Sequence, residues 1–346
     1  MVSPLSKEAM AYTPLEDGSV RCDLCGRKCT IAEGNLGVCK ARVNRKGLLF
    51  TLSYGRSCST SVDPIEKKPL FHFHPGALVY SVASPFCNFF CRFCDNWAIS
   101  QERSALETRS MPPETVVREA LQTGSQGISY TYTEPTVFYE WAYDSAKLAR
   151  ESGLFNTFVT NGYLTPEAVK TIAPYLAAAT VDIKGSGDPQ FYRDVMRVPS
   201  VDPIYNCLKA LVKHGVHVEV TDLIVPKLGE SEDRLRELAT WVGNELGKDT
   251  PIHLLRFYPS YELIDIPQTP ASTIERAVKV VAETGMKYVY AGNLPGSKGE
   301  NTFCPRCKEL LIERYGFTIL KWNLAKDMAC PTCGEKIPIV GVYHAG

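Results

Sequence analysis

The sequence predicts an α/β fold, a partial or full (β/α) barrel of six to seven units, with a small cysteine-rich module at each end. Three observations lead there. Short apolar runs alternate with longer helical ones from residue 78 to 292. Glycines and prolines punctuate the changes. Finally, 11 of the 13 cysteines fall in three clusters, two of which lie outside the alternating region.

The strand-like runs are "LVYSVA" (78–83), "GISYTY" (127–132), "FNTFVT" (155–160), "ATVDIK" (179–184), "VHVEVTDLIV" (216–225), "IHLLRFY" (252–258) and "KYVYAG" (287–292). Between them, helices are expected at 114–123, 136–151, 165–177, 202–213, 231–246 and 271–284. Entrances such as "MPPET", "EPT", "LTPEA" and "VDP" set proline or a capping residue at a helix start. Gly153, Gly215 and Gly285 stand where helices should stop. Repeated strand–helix alternation implies parallel strands joined by right-handed crossovers, with ligands at the C-terminal strand ends.

Three domains are expected: an N-terminal cysteine-rich module over 1–75, the barrel over 76–292 and a C-terminal ribbon-like module over 293–346. Residues 1–75 show little periodicity and read as an irregular module organised by its ligands rather than by a core of its own. Lysine plus arginine equals aspartate plus glutamate at 38 each, so the bulk charge calls for neither nucleic acid nor an anionic surface. No run approaches the ~20 apolar residues of a membrane span. The N-terminus lacks a secretory layout, so a cytoplasmic location with reduced thiols is expected. In that setting cysteine clusters read as metal sites.

At the C-terminus, Cys304, Cys307, Cys330 and Cys333 form two C-P-x-C knuckles, the pattern of a zinc ribbon, with an auxiliary iron–sulfur cluster as the alternative. Cys22, Cys25, Cys29 and Cys39 suffice for a closed site holding either zinc or an iron–sulfur cluster. The middle cluster, Cys87, Cys91 and Cys94, has three thiols and follows the first strand directly. Three thiolates can hold three irons of a cubane and leave the fourth open, which suits catalysis rather than structure. A zinc site borrowing His72 or His74 is the plainer alternative, although paired loop histidines are more often ordinary hydrogen-bonded residues. Cys58 and Cys207 stand alone.

Alternation places Asp182 and Lys184 on one face of their strand, as a pair needing mutual compensation. Thr160 and Asn161 follow the strand before it. His217, Glu219 and Thr221 share a face that should look into the lumen, and Arg256 lies near the mouth as a candidate carboxylate clamp.

"CNFFCRFC" resembles the C-x3-C-x-aromatic-C signature of radical S-adenosylmethionine (SAM) enzymes, with Phe93 in the aromatic position. The resemblance implies a [4Fe–4S] cluster on Cys87, Cys91 and Cys94 whose open iron chelates S-adenosylmethionine. It further implies reductive cleavage to a 5′-deoxyadenosyl radical and hydrogen abstraction from a substrate. "TYTEPT" resembles the glycine-glycine-glutamate-proline stretch that holds the cofactor's amino group, which falls on Glu134, with Tyr132 and Thr133 in place of the glycines. "TNG" and "DIK" are similar to stretches of glycyl-radical-enzyme activases and bring Asn161, Asp182 and Lys184 into cofactor binding, with Glu219 and Arg256 lining the cavity.

Over the whole chain, "DPIEKKPLFHF", "CNFFCRFCDNWAISQ", "YTYTEPT" and "GNLPG" resemble the AmmeMemoRadiSam-system radical enzymes of archaea and anaerobic bacteria. These are named for similarity to pyruvate formate-lyase activating enzyme. The resemblance implies a low-potential donor, ferredoxin or flavodoxin, and a glycyl radical enzyme, another protein, tRNA or a small molecule as substrate. Cysteines flanking the barrel at both termini depart from the activases. From other classes, a zinc-ribbon nucleic-acid-binding protein leaves the open triad unexplained. A thiol–disulfide oxidoreductase lacks a thioredoxin-like context around any cysteine pair.

Overall fold

Strands built from runs such as "GISY" and "AATVDI" are buried along nearly their whole length, as parallel strands covered on both faces must be. The computed structural model describes residues 7–101 and 107–345. Its main sheet holds eight strands: β1 (Ser59–Pro64), β2 (Leu78–Ala83), β3 (Gly127–Tyr130), β4 (Phe155–Thr160), β5 (Ala178–Lys184), β6 (His217–Ile224), β7 (Ile252–Arg256) and β8 (Val289–Gly292). They lie side by side in chain order, with β1 and β8 at the two edges. From β2 to β8 the pairing is parallel; β1 runs antiparallel to β2.

Helices at Pro113–Gln122, Tyr139–Glu151, Pro166–Ile172, Asp202–Lys213, Glu232–Glu245 and Ala271–Glu283 form the crossovers. Their signals act locally. Thr165 and Ser231 side chains accept from the backbone N–H three residues on, satisfying first-turn donors. Gly215 and Gly285 take positive φ just past their helices, a conformation that costs any other residue. Apolar helix faces meet strand residues such as Val82, Ile128, Phe158 and Val181 in one large core.

Several boundaries differ from expectation for identifiable reasons. β3 stops at Tyr130, and Tyr132 turns left-handed at φ 63° where the resembled motif carries glycine. The helix expected from 136 begins at Tyr139, because Glu134 first closes a turn on Thr136. The helix expected over 165–177 is α-helical to Ile172 and tightens into a 3₁₀ turn at Ala173–Tyr175, where Pro174 removes a donor. A short helix, Pro189–Asp194, was not foreseen.

The largest correction concerns residues 1–75. Instead of being irregular, the segment carries two small antiparallel sheets, one of Lys7–Glu8, Leu48–Thr51 and Arg42–Arg45, the other of Tyr12–Pro14, Val20–Cys22 and Thr30–Ile31. It also supplies β1 to the main sheet, which therefore begins before residue 76. Val20, Leu24, Ile31 and Leu49 share the main core rather than forming one of their own.

The two flanking modules dock at opposite ends. The N-terminal cysteine loop sits on the mouth, where the strands end. Gly26 N–H donates to Tyr163 O at 2.8 Å, Thr165 N–H to Leu24 O at 3.0 Å, and Arg27 Nε to Asn88 O at 3.0 Å. The C-terminal module, with strands Leu310–Tyr315 and Thr318–Trp322, packs Leu311, Ile312 and Ile337 against Phe71, Tyr288 and Tyr290, below the strand starts.

The mouth contact is tight at Gly26. A Cβ there would lie 2.6 Å from Pro203 and 2.8 Å from the Tyr163 ring, and neither neighbour is a flexible chain end. Gly26→Ala is therefore expected to destabilise the protein by about 1–3 kcal/mol. Proteolysis of the N-terminal module should quicken in parallel; a urea midpoint equal to the parent's would show the loop yields freely.

Candidate active site at the strand ends

β2 delivers the chain to the mouth, and Phe86, at φ 82°, turns it sharply so that Cys87 follows. The loop is then pinned on several sides. Arg92 N–H donates to Val195 O at 3.0 Å, Glu262 N–H to Arg92 O at 2.8 Å, and Ser260 Oγ to Cys94 O at 3.4 Å. Phe93 is buried against Phe191 and Phe257, with ring centroids at 5.9 and 6.4 Å, and packs the loop onto the barrel. Phe89 N–H points at Cys87 Sγ from 3.4 Å, and Ser100 Oγ lies 3.1 Å from Cys94 Sγ. N–H and O–H groups aimed at sulfur stabilise a thiolate.

Burial pushes all three thiols up, Cys91 to about 12, while the Lys184 ammonium pulls Cys91 and Cys94 back. Protonated, buried thiols are poor nucleophiles but sound ligands once a metal displaces the proton.

Spacing tells the cysteine sets apart. Among the described residues, one group of three or more Cys, His, Asp or Glu has all its ligand atoms within 4.8 Å of one another: Cys304, Cys307, Cys330 and Cys333. Its closest sulfurs, Cys304 to Cys333 and Cys307 to Cys330, stand 3.5 and 3.6 Å apart. Four thiolates around one zinc are about 3.8 Å apart, from a ~2.3 Å bond and tetrahedral angles. Cys87, Cys91 and Cys94 are more widely spread. A cubane wants that, since each cysteine takes its own iron and the sulfurs stand on the order of 6 Å apart.

Around the triad, Asp182 and Lys184 pair at 3.0 Å, and Thr221 Oγ1 donates to Asp182 Oδ1 at 2.6 Å. Glu134 is buried and accepts from four donors. Thr136 N–H, Thr136 Oγ1 and Thr160 Oγ1 go to Oε1, and Asn161 N–H goes to Oε2 at 2.8 Å. It thereby ties the end of β3 to the end of β4, and Oε2 retains acceptor capacity. Asn161 Nδ2 donates to Asn88 Oδ1 at 2.7 Å, fixing the residue after Cys87. Phe93, Glu134, Asn161, Asp182 and Lys184 thus converge on the strand ends.

Two expected site residues do not join them as foreseen. Glu219 faces inward, but near the start of β6, where both its oxygens are taken by Phe71 N–H, His72 N–H, His217 and His253 at 2.7–3.1 Å. Burial would raise its carboxyl, yet the His217 and His253 bonds outweigh that and hold it below the carboxylate range. It is a fully satisfied floor residue and not a cofactor contact. Arg256 does reach the mouth end of β7, but its Nε donates to Thr269 O at 2.6 Å and its guanidinium lies over the Tyr258 ring. As for the histidines, His72 Nε2 bonds Tyr290 Oη at 2.6 Å and His74 Nδ1 bonds His344 Nε2 at 3.2 Å. Cys58 lies beside Ala83 O, while Cys207 is buried in the core.

The floor network sets a pH dependence. Burial holds His72 down to about 3, against about 6.5 in an unfolded chain. Below pH 6.5 the unfolded state binds a proton that the folded state refuses, so stability is full above 6.5 and is lost as pH falls toward 3. At pH 5 this one group costs about 2 kcal/mol. His72→Gln should flatten the fall in urea midpoint between pH 7 and 5; an unchanged slope would place the titration elsewhere.

Sequence reasoning missed a second cluster. Asp63 on β1 accepts from Lys68 at 2.7 Å, Lys67 at 2.8 Å, Ser81 at 2.7 Å and Tyr132 Oη. The Tyr132 hydroxyl anchored there holds the left-handed turn that glycine would otherwise supply. Polar "STSVDP" carries too little apolar signal to be read as a strand, so Asp63 could not be placed facing the barrel.

With this geometry in hand, a profile of the radical SAM superfamily is found to match residues 81–242, from β2 with its triad through most of the helix after β6. Residues 81–242 thus carry a radical SAM superfamily domain. An uncharacterized protein of Methanocaldococcus jannaschii is 47% identical over 336 residues, covering 96% of this chain and 99% of that one, both flanking modules included. A radical SAM methyltransferase from Sphaerobacter thermophilus shares the fold at a TM-score of 0.51, with 14% identity over 86% of this chain and 81% of that one. A domain of pyruvate-formate lyase-activating enzyme from Bacteroides vulgatus scores 0.43, with 15% identity over 49% of this chain and 100% of that domain, too loose a likeness to argue from. A radical SAM domain implies a [4Fe–4S] cluster and S-adenosylmethionine. Among the described residues, no helix is long and apolar enough to cross a membrane.

Proposed function

We propose that this radical SAM protein reductively cleaves S-adenosylmethionine and abstracts hydrogen from a substrate, with Cys87, Cys91 and Cys94 as the three protein ligands of the [4Fe–4S] cluster. The observation that carries this reading is the pinned triad loop at the mouth, with three cysteines that do not crowd around one point and no fourth cysteine on the loop. Cys87, Cys91 and Cys94 would hold a cluster that, once reduced, would supply the one electron needed for reductive cleavage of the cofactor's carbon–sulfur bond.

The chain's own groups have separate tasks. Lys184, beside Cys91 and Cys94, offers an ammonium to the cofactor's carboxylate, and Asp182 orients it. Glu134 Oε2 keeps an acceptor site for the cofactor's amino group while holding Asn161, which steadies Asn88 and so the first cysteine. Phe93 seals the apolar side of the loop. Arg256 at the mouth is retained as a wall of the cavity, held by Thr269.

At the level of substrate, we place the chain with the AmmeMemoRadiSam-system enzymes and read its target as a protein. Activation of a glycyl radical enzyme such as pyruvate formate-lyase is the form that the activase resemblance favours. A ferredoxin or flavodoxin serves as donor, in an anaerobic cytoplasm. The tight sulfur spacing favours structural zinc at Cys304, Cys307, Cys330 and Cys333.

Anaerobically reconstituted protein given dithionite and S-adenosylmethionine should release 5′-deoxyadenosine and methionine. Failure by protein carrying its full iron and sulfide would sink the reading. Deuterium transferred into 5′-deoxyadenosine from a glycine-deuterated candidate protein would identify the substrate class, whereas transfer from tRNA or a small molecule would move it.

A further inference from the structure

Cys22, Cys25, Cys29 and Cys39 admit zinc or an iron–sulfur cluster on spacing in the sequence alone. Their placement separates the two. All four line one small cavity, in the wedge where the N-terminal module meets the mouth. They do not crowd as sulfurs around a single ion do. Among the described residues, no three of their ligand atoms meet the 4.8 Å limit that the C-terminal four satisfy. The triad behaves in the same way, and there each cysteine is expected to take a separate iron.

We infer that Cys22, Cys25, Cys29 and Cys39 hold a second [4Fe–4S] cluster, one whose irons are all closed by protein thiolates. Three further observations point to that occupant. Arg27 and Arg42 line the cavity, and a net cationic wall suits a four-thiolate cubane, whose oxidised form carries a net negative charge of about −2. Arg42 is 2% exposed, and its bidentate bond to Glu140 neutralises only one charge in a wall also bearing Arg27. Asn88 lines the cavity as well; it is 1% exposed, and its buried Nδ2 has no hydrogen-bond partner among the described residues. An unmet N–H donor of this kind costs free energy unless something accepts from it, and cluster sulfur accepts such bonds. Leu24, Ile31 and Val137 make up much of the remaining wall, the low-dielectric surround in which hydrogen bonds and charge tune a cluster.

The closed ligand set leaves no iron for substrate, which confines this cluster to carrying electrons or to structure. Position favours the carrier. Asn88 is next in sequence to Cys87, so one residue borders both cysteine sets, and Arg27 donates to its carbonyl. The zinc-like set lies at the other end of the barrel, against Tyr288 and Tyr290.

The inference leans on the triad reading only for comparison, and the test keeps the two apart. The full chain with Cys87, Cys91 and Cys94 all changed to alanine is reconstituted anaerobically with iron and sulfide. About four irons and four sulfides should remain, with a low-temperature EPR signal after dithionite reduction. Adding Cys25→Ser and Cys39→Ser should remove both, while zinc stays at about one per chain as the sign of an intact C-terminal module. If the inference fails, the triad variant holds no iron or sulfide and zinc rises to about two per chain. If instead the triad reading fails, parent and triad variant hold the same iron. A measurement needing no variant is anomalous scattering from crystals of the full chain at the iron and zinc edges. Iron density inside the cavity is expected, and a peak there at the zinc edge alone would overturn the site.

Discussion

Changing Cys91 to alanine should abolish 5′-deoxyadenosine formation while leaving the fold standing. Cys91 is the middle cysteine of the triad, buried to 9% exposure beside Lys184, and its loop is held by backbone bonds to Val195 and Glu262 that do not involve the sulfur. Loss of an outer-shell partner costs a metal site about 10–100-fold, and loss of a ligand should exceed that. Thermal unfolding of the iron-free protein should move by only a few degrees. In the reconstituted protein, iron should drop by about four per chain with the other sites filled. Retained cleavage would show that these cysteines do not hold the reactive cluster.

The second large effect is on stability. Arg42 and Glu140 form a bidentate pair at 2.8–2.9 Å with almost no exposure, and Glu140 also accepts Met10 N–H at 3.0 Å. This pair pins the N-terminal module to the helix Tyr139–Glu151. Glu140→Ala leaves a guanidinium buried without its partner, which costs about 3–5 kcal/mol. Urea denaturation of the metal-free chain should show that loss. Replacing both residues by apolar ones of similar volume should recover much of it, because the uncompensated charge is then gone. A single-variant cost near zero would mean that water reaches Arg42.

Much of this architecture was written in local pattern. Buried parallel strands need continuous apolar runs, and proline entrances with glycine exits frame the helices, so β2 and β4 fall at the expected residues. β1 was invisible because an edge strand with one wet face can be built from serine, threonine and aspartate. The Asp182–Lys184 pair was legible because spacing along the chain there equals proximity in space. Glu219 was misplaced because alternation reports which face a residue shares but not how far along the strand it sits. His217, Glu219 and Thr221 look the same way, yet Thr221 bonds Asp182 near the mouth while Glu219 closes the floor. Tyr132 shows a further limit. A left-handed turn can be held by a distant partner, here Asp63, where glycine was the expected device. For the flanking cysteines, the sequence shows candidate ligands but not an occupant, since that choice rests on sulfur separations set by tertiary packing.

The most direct test of the central claim is the EPR spectrum of the dithionite-reduced, anaerobically reconstituted protein with and without S-adenosylmethionine. An iron left open by three cysteines must bind the cofactor itself. One component of the spectrum should therefore change on its addition, and that component should be missing from the variant with Cys87, Cys91 and Cys94 all replaced by alanine. A spectrum indifferent to S-adenosylmethionine, in protein carrying its full iron and sulfide, would contradict the account.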